Sequence, residues 1–252
     1  MIAEPTSIQI GHKGCGTLYR SEFYVYDQDQ PVKVIIRNYT PDDFDQLIEI
    51  QSECFPPPFP PELWWNKEQL MNHVTIFQDG ALCCEIAGKL VGSLTGLCVD
   101  FDPNDQNHSW EEITDHGYIR SHNPNGNTLY IVDISVRPKY RKLGLGKLMM
   151  QAMYHIVIER GYTRLLGGGR MPGYHKVADK MTPDQYLAAV INGEVSDPVI
   201  SFLLRCGRVP IGIAKNYLDD EESCNYAALM EWNNPFKSEK GSVYVNGISK
   251  NY

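Results

Sequence analysis

The segment TLYIVDISVRPKYRKLGLGKLMM, residues 128–150, constrains the fold more than any other stretch of the sequence. Its first nine residues are rich in β-branched side chains and predict a strand, and a basic turn with Gly144 and Gly146 follows. Apolar residues at helical spacing then continue to Gly161, which predicts a helix that ends there. Because the N-terminus of a helix attracts anions, the glycine turn predicts a phosphate site.

Two familiar phosphate-binding patterns do not fit this turn. The dinucleotide pattern G-x-G-x-x-G requires a third glycine where the sequence has Met149. The P-loop pattern requires four residues between its glycines, whereas a single residue separates Gly144 from Gly146. The pattern that remains is R-x-x-G-x-G, which begins at Arg141 and follows V-x-P.

Composition narrows the class of protein. A chain of 252 residues with 42% hydrophobic content can bury a full core, as one large or two small domains. Its formal charge of −8 argues against a nucleic-acid partner. The seven cysteines are scattered without a C-x-x-C pair, so neither a disulfide framework nor a metal site is expected. The N-terminus does not resemble a signal peptide, and no apolar run approaches the roughly 18 residues of a membrane span. We therefore expect a soluble cytoplasmic protein with no membrane partner.

Several other segments have clear local patterns. VKVIIRNY predicts a strand, and TPDDFDQLIEIQSECF predicts a helix that begins at Thr40 and Pro41 and carries Gln51 on its apolar stripe. A second helix is expected in ELWWNKEQLMNHV, and ALCCEIAGKLVGSLTGLCV predicts a hairpin that turns near Gly88. Residues 100–127 are polar and contain His108 and His116 beside carboxylates. A metal site and a solvated loop are the alternatives there, and the loop is favoured because no ligand spacing repeats.

The strand before the glycine turn contains two polar residues. Strict alternation places Tyr130, Val132, Ile134 and Val136 on one face and Leu129, Ile131, Asp133 and Ser135 on the other. Asp133 and Ser135 would then interrupt an otherwise apolar face just before the turn.

The R-x-x-G-x-G turn after V-x-P resembles the pyrophosphate loop of the GNAT family of N-acetyltransferases. The order of elements from Val32 to Trp232 is also similar to that family, with TRLLGGG as the next strand, DPVISFLLRCG as the next helix, and VPIGI and NYAALMEW as the closing pair. The resemblance implies an α/β (α+β) fold with a central mixed, mostly antiparallel sheet of about seven strands flanked by helices. The domain would span 32–232, between an N-terminal extension (1–31), which is either unstructured or adds a strand, and a short tail (233–252).

A second resemblance concerns the segment between the TRLLGGG strand and the last helix. The block GGGRMPGYHK…DPVISF…NYLDDEES is similar to a GNAT subgroup found alone or attached to carbon–nitrogen hydrolases. It includes an insertion at about 170–196, in which Thr182, Pro183 and Gln185 predict a short helix that stops at Gly193. This insertion is expected to shape the acceptor site.

The family resemblance implies acetyl-CoA (coenzyme A) as the cosubstrate. The strand before the loop would diverge from its neighbour, so that the backbone of Ile134, Ser135 and Val136 pairs with pantetheine. The pyrophosphate would bind at the loop, formed by Arg141, Lys142, Leu143, Gly144, Leu145, Gly146 and Lys147. The acyl chain length is left open.

Acyl transfer to an amine requires a group that accepts a proton, because a free alkyl amine is mostly protonated at neutral pH. Asp133 is the first candidate for this base, and a purely structural carboxylate is the alternative interpretation. His175 is a second candidate base, and Tyr174 could protonate the leaving thiolate. Both side chains could instead simply pack the insertion.

One position departs from the family pattern. The family often has a proton-donating tyrosine four residues before the glycine that closes the last helix, and here Leu203 precedes Gly207 at that spacing. A catalytically weak or inactive acyl-CoA-binding module is therefore the alternative to a transferase, and an interaction module for a separate hydrolase is a third possibility. Because burial raises thiol pKa values, we expect direct transfer in a ternary complex rather than a cysteine-linked intermediate.

The acceptor is a small-molecule or peptide amine in this interpretation. The acidic run from Asp219 to Glu222 falls in the loop between the last two strands, where it would favour a cationic amine. Solvated surface is the alternative for such a run. The oligomeric state is open, and a homodimer is one option.

Overall fold

The structure is a computed structural model that describes residues 18–57, 59–102 and 108–237. Residues 1–17 of the predicted extension and residues 238–252 of the predicted tail lie outside the described residues. Residue 58 of the proline cluster and residues 103–107 of the polar loop also lie outside them.

The described residues form eight strands and six α-helices. The strands are β1 (Arg20–Asp27), β2 (Gln30–Asn38), β3 (Ala81–Ile86), β4 (Lys89–Val99), β5 (Thr128–Val136), β6 (Arg164–Arg170), β7 (Val209–Ala214) and β8 (Ala227–Asn233). The helices are α1 (Phe44–Cys54), α2 (Lys67–Ile76), α3 (Trp110–Thr114), α4 (Leu145–Arg160), α5 (Pro183–Ile191) and α6 (Ile200–Arg205). None of these helices is long and apolar enough to cross a bilayer.

One sheet contains all eight of these strands, in the order β1-β2-β3-β4-β5-β6-β8-β7. Every neighbouring pair is antiparallel except β5 and β6, which are parallel. The predicted mixed, mostly antiparallel sheet flanked by helices is therefore confirmed, with one strand more than the expected seven. The additional strand is β1, which lies within residues 1–31.

The sequence leaves open whether residues 1–31 are unstructured or add a strand, and the turn of the β1–β2 hairpin explains why local patterns do not decide this. Gln28 and Asp29 form its two-residue turn, with φ angles of 47° and 65°. Two positive φ angles are typical of a type I′ turn, for which Asn-Gly and Asp-Gly are the usual sequences. Neither of these signals is present here.

Most elements around the glycine turn form as their patterns predict. TLYIVDISV is β5, and α4 ends at Arg160 with Gly161 as its C-cap, at a φ of 69°. The β3–β4 hairpin turns at Ala87 and Gly88, which both have positive φ angles. In the insertion, Thr182 and Gln185 form the capping box that begins α5.

Helices α1 and α4 cover opposite faces of the sheet. A Cβ atom on Gly92 would lie 3.0 Å from Met149 Cε of α4 and 3.4 Å from Val136 Cγ2, so Val136 points toward α4. The preceding residue, Ser135, must point the other way, and its hydroxyl contacts Gln51 of α1 at 3.3 Å.

A β-bulge in β5 overturns the predicted alternation of faces. Thr95 of β4 pairs with Asp133, whereas the next residue, Gly96, pairs with Ile131, so one extra β5 residue lies between them. Before the bulge, Leu129 lies on the α4 face, because a Cβ atom on Gly96 would contact both Leu129 and Met153. Leu129 and Ser135 were predicted on one face and lie on opposite faces. Asp133 and Ser135 therefore face α1.

Candidate functional site

The turn between β5 and α4 presents backbone N–H groups at the start of a long helix. Lys142 and Gly144 have φ angles of 73° and 78°, and α4 begins at Leu145 directly afterwards. The first N–H groups of a helix have no carbonyl partner within that helix. A Cβ atom on Gly144 would have no other atom within 4 Å, so the space in front of these groups is open. The arrangement suits an anion such as phosphate.

The two glycines of the turn have different roles. Gly144 supplies the left-handed conformation, for which a side chain would be strained. Gly146 allows α6 to approach, since its Cβ atom would lie 3.1 Å from the Phe202 ring. The missing side chain at Gly146 therefore makes room for α6 within the fold.

The basic side chains of the turn also differ in their contacts: Arg141 bonds within the turn, whereas the two lysines face solvent. Arg141 Nε donates a hydrogen bond to the Val136 carbonyl at 3.1 Å, which closes the turn. Lys142 and Lys147 are exposed, and neither forms an ion pair with a carboxylate in the described part of the chain. These two lysines are free to meet an anionic ligand.

A gap opens between β5 and β6 on the side of the turn. The two strands pair only from Thr128 and Arg164 to Tyr130 and Leu166, although β5 continues to Val136 and β6 to Arg170. They therefore separate toward their C-terminal ends, and β5 leads from there into the turn. We call this space the β5–β6 gap.

The backbone of β5 offers alternate residues to the β5–β6 gap. Arg137 donates its N–H to Val91 of β4, so the backbone of Ser135 also points toward β4, and that of Ile134 and Val136 points into the gap. The Val136 carbonyl already accepts from Arg141 Nε and from Cys54 Sγ at 3.3 Å. Of the three residues predicted to pair with pantetheine, Ile134 is the best placed to do so.

Asp133 is the β5 residue before Ile134, and its side chain contacts α1. Its Oδ2 accepts hydrogen bonds from Gln51 Nε2 at 3.0 Å and from the Ser135 hydroxyl at 2.9 Å. Burial raises the pKa of Asp133 to about 6, although these hydrogen bonds act to lower it. The carboxyl group is thus mostly ionised at neutral pH and can still accept a proton.

Gln51 is a site residue that was not selected from the sequence. It is buried in α1 on the apolar stripe formed by Phe44 and Leu47. A polar side chain on a buried helix face usually has a hydrogen-bond partner, and this signal was available in the sequence. Its partner could not be known, because the bulge decides which face Asp133 occupies.

The other two predicted catalytic residues lie at a different place in the fold. The Tyr174 hydroxyl donates to the Met181 carbonyl at 3.0 Å, and Tyr174 is buried. His175 Nδ1 lies 2.9 Å from the carbonyl oxygens of Pro172 and Glu222. These partners belong to the insertion and the β7–β8 connection, whereas the partners of Asp133 belong to α1 and β5. The described hydrogen bonds do not join Tyr174 or His175 to Asp133.

The acidic run in the β7–β8 connection is not a set of free carboxylates. Asp220 is buried and receives two hydrogen bonds from Arg170, at 2.7 and 2.6 Å. Glu222 is 3.3 Å from the same guanidinium, and this group also lies 5.5 Å from the centre of the Phe59 ring. Arg170, at the start of the insertion, therefore contacts both the β7–β8 connection and the loop between α1 and α2.

The two histidines of the polar loop make separate contacts. His108 Nε2 lies 2.9 Å from the Tyr130 hydroxyl, whereas His116 lies 4.0 Å from Glu111. Within the described ranges, no group of three His, Cys, Asp or Glu residues is close enough to hold a metal ion.

Comparison with known proteins places these features in one family. The model of the acetyltransferase (GNAT) family matches residues 44–172, from α1 to the start of the insertion. The chain is 52% identical over 215 residues to "Uncharacterized N-acetyltransferase YkwB" of Bacillus subtilis (strain 168), which covers 85% of this chain and 95% of that protein. It is also similar in fold to the solved structure "GphF GNAT-like decarboxylase in complex with isobutyryl-CoA", with a TM-score of 0.66, 21% identity, and coverage of 79% and 98%.

A longer relative agrees with the predicted subgroup. The chain is 40% identical over 203 residues to "Probable hydrolase YhcX" of Bacillus subtilis (strain 168), a match that covers 80% of this chain but 39% of that protein. This agrees with the resemblance to GNAT domains attached to hydrolases. The glycine turn at α4, the divergence of β5 from β6, and these matches lead to one conclusion: the chain belongs to the GNAT family of acetyltransferases.

Proposed function

We propose that this protein moves an acetyl group from acetyl-CoA to a primary amine by direct transfer. The observation that carries the proposal is the position of the anion-binding turn at the open end of the β5–β6 gap. An elongated ligand with a diphosphate can therefore bind the turn and extend along β5 toward Asp133. Membership of the GNAT family supports acyl-CoA as that ligand.

In this proposal the chain holds coenzyme A mainly with its backbone. The N–H groups of the turn from Lys142 to Lys147 bind the pyrophosphate, and the two exposed lysines add positive charge. The backbone of Ile134 pairs with pantetheine, as a further strand would. The thioester then lies in the gap, near Asp133.

Asp133 acts as the general base in the proposed reaction. The amine nitrogen forms a bond to the carbonyl carbon, and the carbon–sulfur bond breaks. The nitrogen loses its proton to the Asp133 carboxylate, directly or through water, and the coenzyme A thiolate takes a proton from solvent. A pKa of about 6 keeps the carboxyl group ionised at neutral pH and brings its basicity closer to that of the amine.

A non-catalytic acyl-CoA-binding module is the second candidate. It is favoured by Leu203, a buried hydrocarbon side chain where the family often has a proton-donating tyrosine. Coenzyme A thiolate is a fairly good leaving group, so we expect the absence of this acid to slow transfer rather than prevent it.

Thiol release distinguishes the two candidates. The protein is titrated with acetyl-CoA in a calorimeter, and free thiol is then followed with polyamines, aminoglycosides and lysine peptides. Binding followed by release with one amine class supports the transferase. Binding with no release from any of them supports the binding module.

A further inference from the structure

Two buried tyrosines lie at the narrow end of the β5–β6 gap. Tyr130 is the last β5 residue that pairs with β6, and its hydroxyl oxygen is 2.8 Å from that of Tyr217. Tyr217 belongs to the β7–β8 connection, and its ring lies against β6. The two hydroxyl groups therefore meet across the gap, just beyond the last paired residues.

Gly168 is the residue of β6 that allows this contact. A Cβ atom at Gly168 would lie 2.2 Å from a ring carbon of Tyr217, which is closer than any real side chain permits. The side chain of Tyr217 thus lies directly on the β6 backbone, where that strand has separated from β5. The tyrosine accounts for the glycine run of β6 at this position.

The tyrosine pair is held from several sides. His108 Nε2 lies 2.9 Å from the Tyr130 hydroxyl, and the backbone N–H of Trp110 donates to the Tyr217 carbonyl at 2.7 Å. Burial raises the pKa of Tyr217 to about 12, although hydrogen bonds from Tyr130 and from the Gly168 backbone act to lower it. Both hydroxyl groups remain protonated at neutral pH, so the pair forms a fixed, uncharged wall.

We propose that Tyr130 and Tyr217 form the end of the acyl pocket and restrict the cosubstrate to short acyl groups. This inference rests on the proposed function, because it requires coenzyme A to enter the gap from the turn. The acyl group is the leading end of such a ligand and points toward the narrow end. An acetyl group fits in front of the tyrosine pair, whereas a long hydrocarbon chain must displace it.

Displacement of the pair is unfavourable for a physical reason. A hydrocarbon chain between the two hydroxyl groups would break the hydrogen bond that joins them, although Tyr130 would keep its contact with His108 and Tyr217 its hydrogen bond from the Gly168 backbone. The loss of a buried hydrogen bond corresponds to roughly a tenfold or larger loss of affinity. Selection by chain length is therefore expected in binding as well as in turnover.

Calorimetric titration with coenzyme A, acetyl-CoA, butyryl-CoA and hexanoyl-CoA tests this inference. We expect wild-type protein to bind acetyl-CoA at least tenfold more tightly than hexanoyl-CoA. Tyr217→Ala removes half of the wall, so we expect it to bind hexanoyl-CoA within about threefold of acetyl-CoA. Because Tyr217→Ala also creates a cavity that can prevent folding, Tyr217→Leu provides a second variant that fills part of the space but cannot reach Tyr130.

Tyr24→Ala is the matched control. Tyr24 lies on β1, at the far edge of the sheet, and is 68% exposed. This variant should keep the wild-type preference for acetyl-CoA. The inference is overturned if wild-type protein binds hexanoyl-CoA as tightly as acetyl-CoA, or if both Tyr217 variants fold and keep the wild-type preference. Failure of the proposed function looks different. Wild-type protein would then either bind neither coenzyme A nor any of its thioesters, or bind acetyl-CoA without releasing thiol to any amine.

Discussion

Gln51 of α1 donates a hydrogen bond of 3.0 Å to Asp133 of β5 and so fixes the proposed base against a neighbouring helix. The same oxygen accepts from Ser135, which lies two residues further along the strand. A carboxyl group held in this way has a defined direction and a raised pKa of about 6. Both properties suit a group that must accept a proton at neutral pH.

The first prediction concerns the rate of transfer. Asp133→Asn should lower kcat by about 100-fold or more, which is the usual contribution of a general base. Wild-type kcat should rise with pH through an apparent pKa near 6 and then level, and the variant should lose this dependence. Affinity for acetyl-CoA should stay within about threefold of wild type, because the side chain does not bind the phosphates.

Asp184→Asn provides the control for that experiment. Asp184 is an exposed carboxylate in the first turn of α5, so its replacement should leave kcat and its pH profile unchanged. A purely structural Asp133 would give an Asp133→Asn variant with reduced stability but wild-type kcat in the folded fraction.

The second prediction concerns stability and pH. The pKa of Asp133 is raised from 3.8 to about 6, so between these values the folded state binds more protons than the unfolded chain. Wild-type protein therefore loses stability from this residue as pH rises through that window, and the loss is complete above it. The free energy of unfolding of Asp133→Asn, relative to wild type, should increase by up to about 3 kcal/mol from pH 4 to pH 8.

Urea unfolding of both proteins at several pH values measures this difference. Ionisable groups that the two proteins share contribute equally to both curves and cancel in the comparison. A difference that is constant from pH 4 to pH 8 would contradict the raised pKa of Asp133.

The third prediction concerns the phosphate turn. Gly144→Glu places a carboxylate where the pyrophosphate is proposed to bind, so the affinity for acetyl-CoA should fall at least tenfold, as expected for a like charge brought close. Gly193→Glu is the matched control, since Gly144 and Gly193 have φ angles of 78° and 77° and neither Cβ atom would have a neighbour within 4 Å. Both variants carry the same backbone strain, and only the first should weaken binding.

The fourth prediction concerns the acidic run. Arg170→Met leaves Asp220 buried without its cation, so it should lower the free energy of unfolding by about 3 kcal/mol at pH 7. Addition of Asp220→Asn should recover part of this loss, because the unpaired charge is then removed. If Asp220 were a free surface carboxylate, Arg170→Met would have little effect and the second substitution would recover nothing.

The sequence predicted the strand, turn and helix around Gly144 because their signals are local. Alternation, positive φ at glycine and helical spacing are each decided within a few residues, and β5 and α4 formed accordingly. The orientation of Asp133 was not predictable in this way. It depends on a bulge opposite Gly96, and a single extra residue reverses the face of every residue beyond it.

Contacts between distant segments could not be predicted from local patterns either. Tyr217 meets Tyr130 across 87 residues, and Arg170 meets Asp220 across 50. Gly168 marks the first of these contacts, but a glycine in a strand can equally mark a bulge or a tight bend. The partner of such a residue becomes known only when the strands are placed side by side.

The measurement that tests the central claim most directly is calorimetric titration with acetyl-CoA, followed in the same sample by thiol release with a panel of amines. We predict saturable binding with one molecule per chain, which Gly144→Glu weakens, and thiol release that depends on both the amine and Asp133. An absence of acetyl-CoA binding to folded wild-type protein would contradict the account of the turn and of every step derived from it.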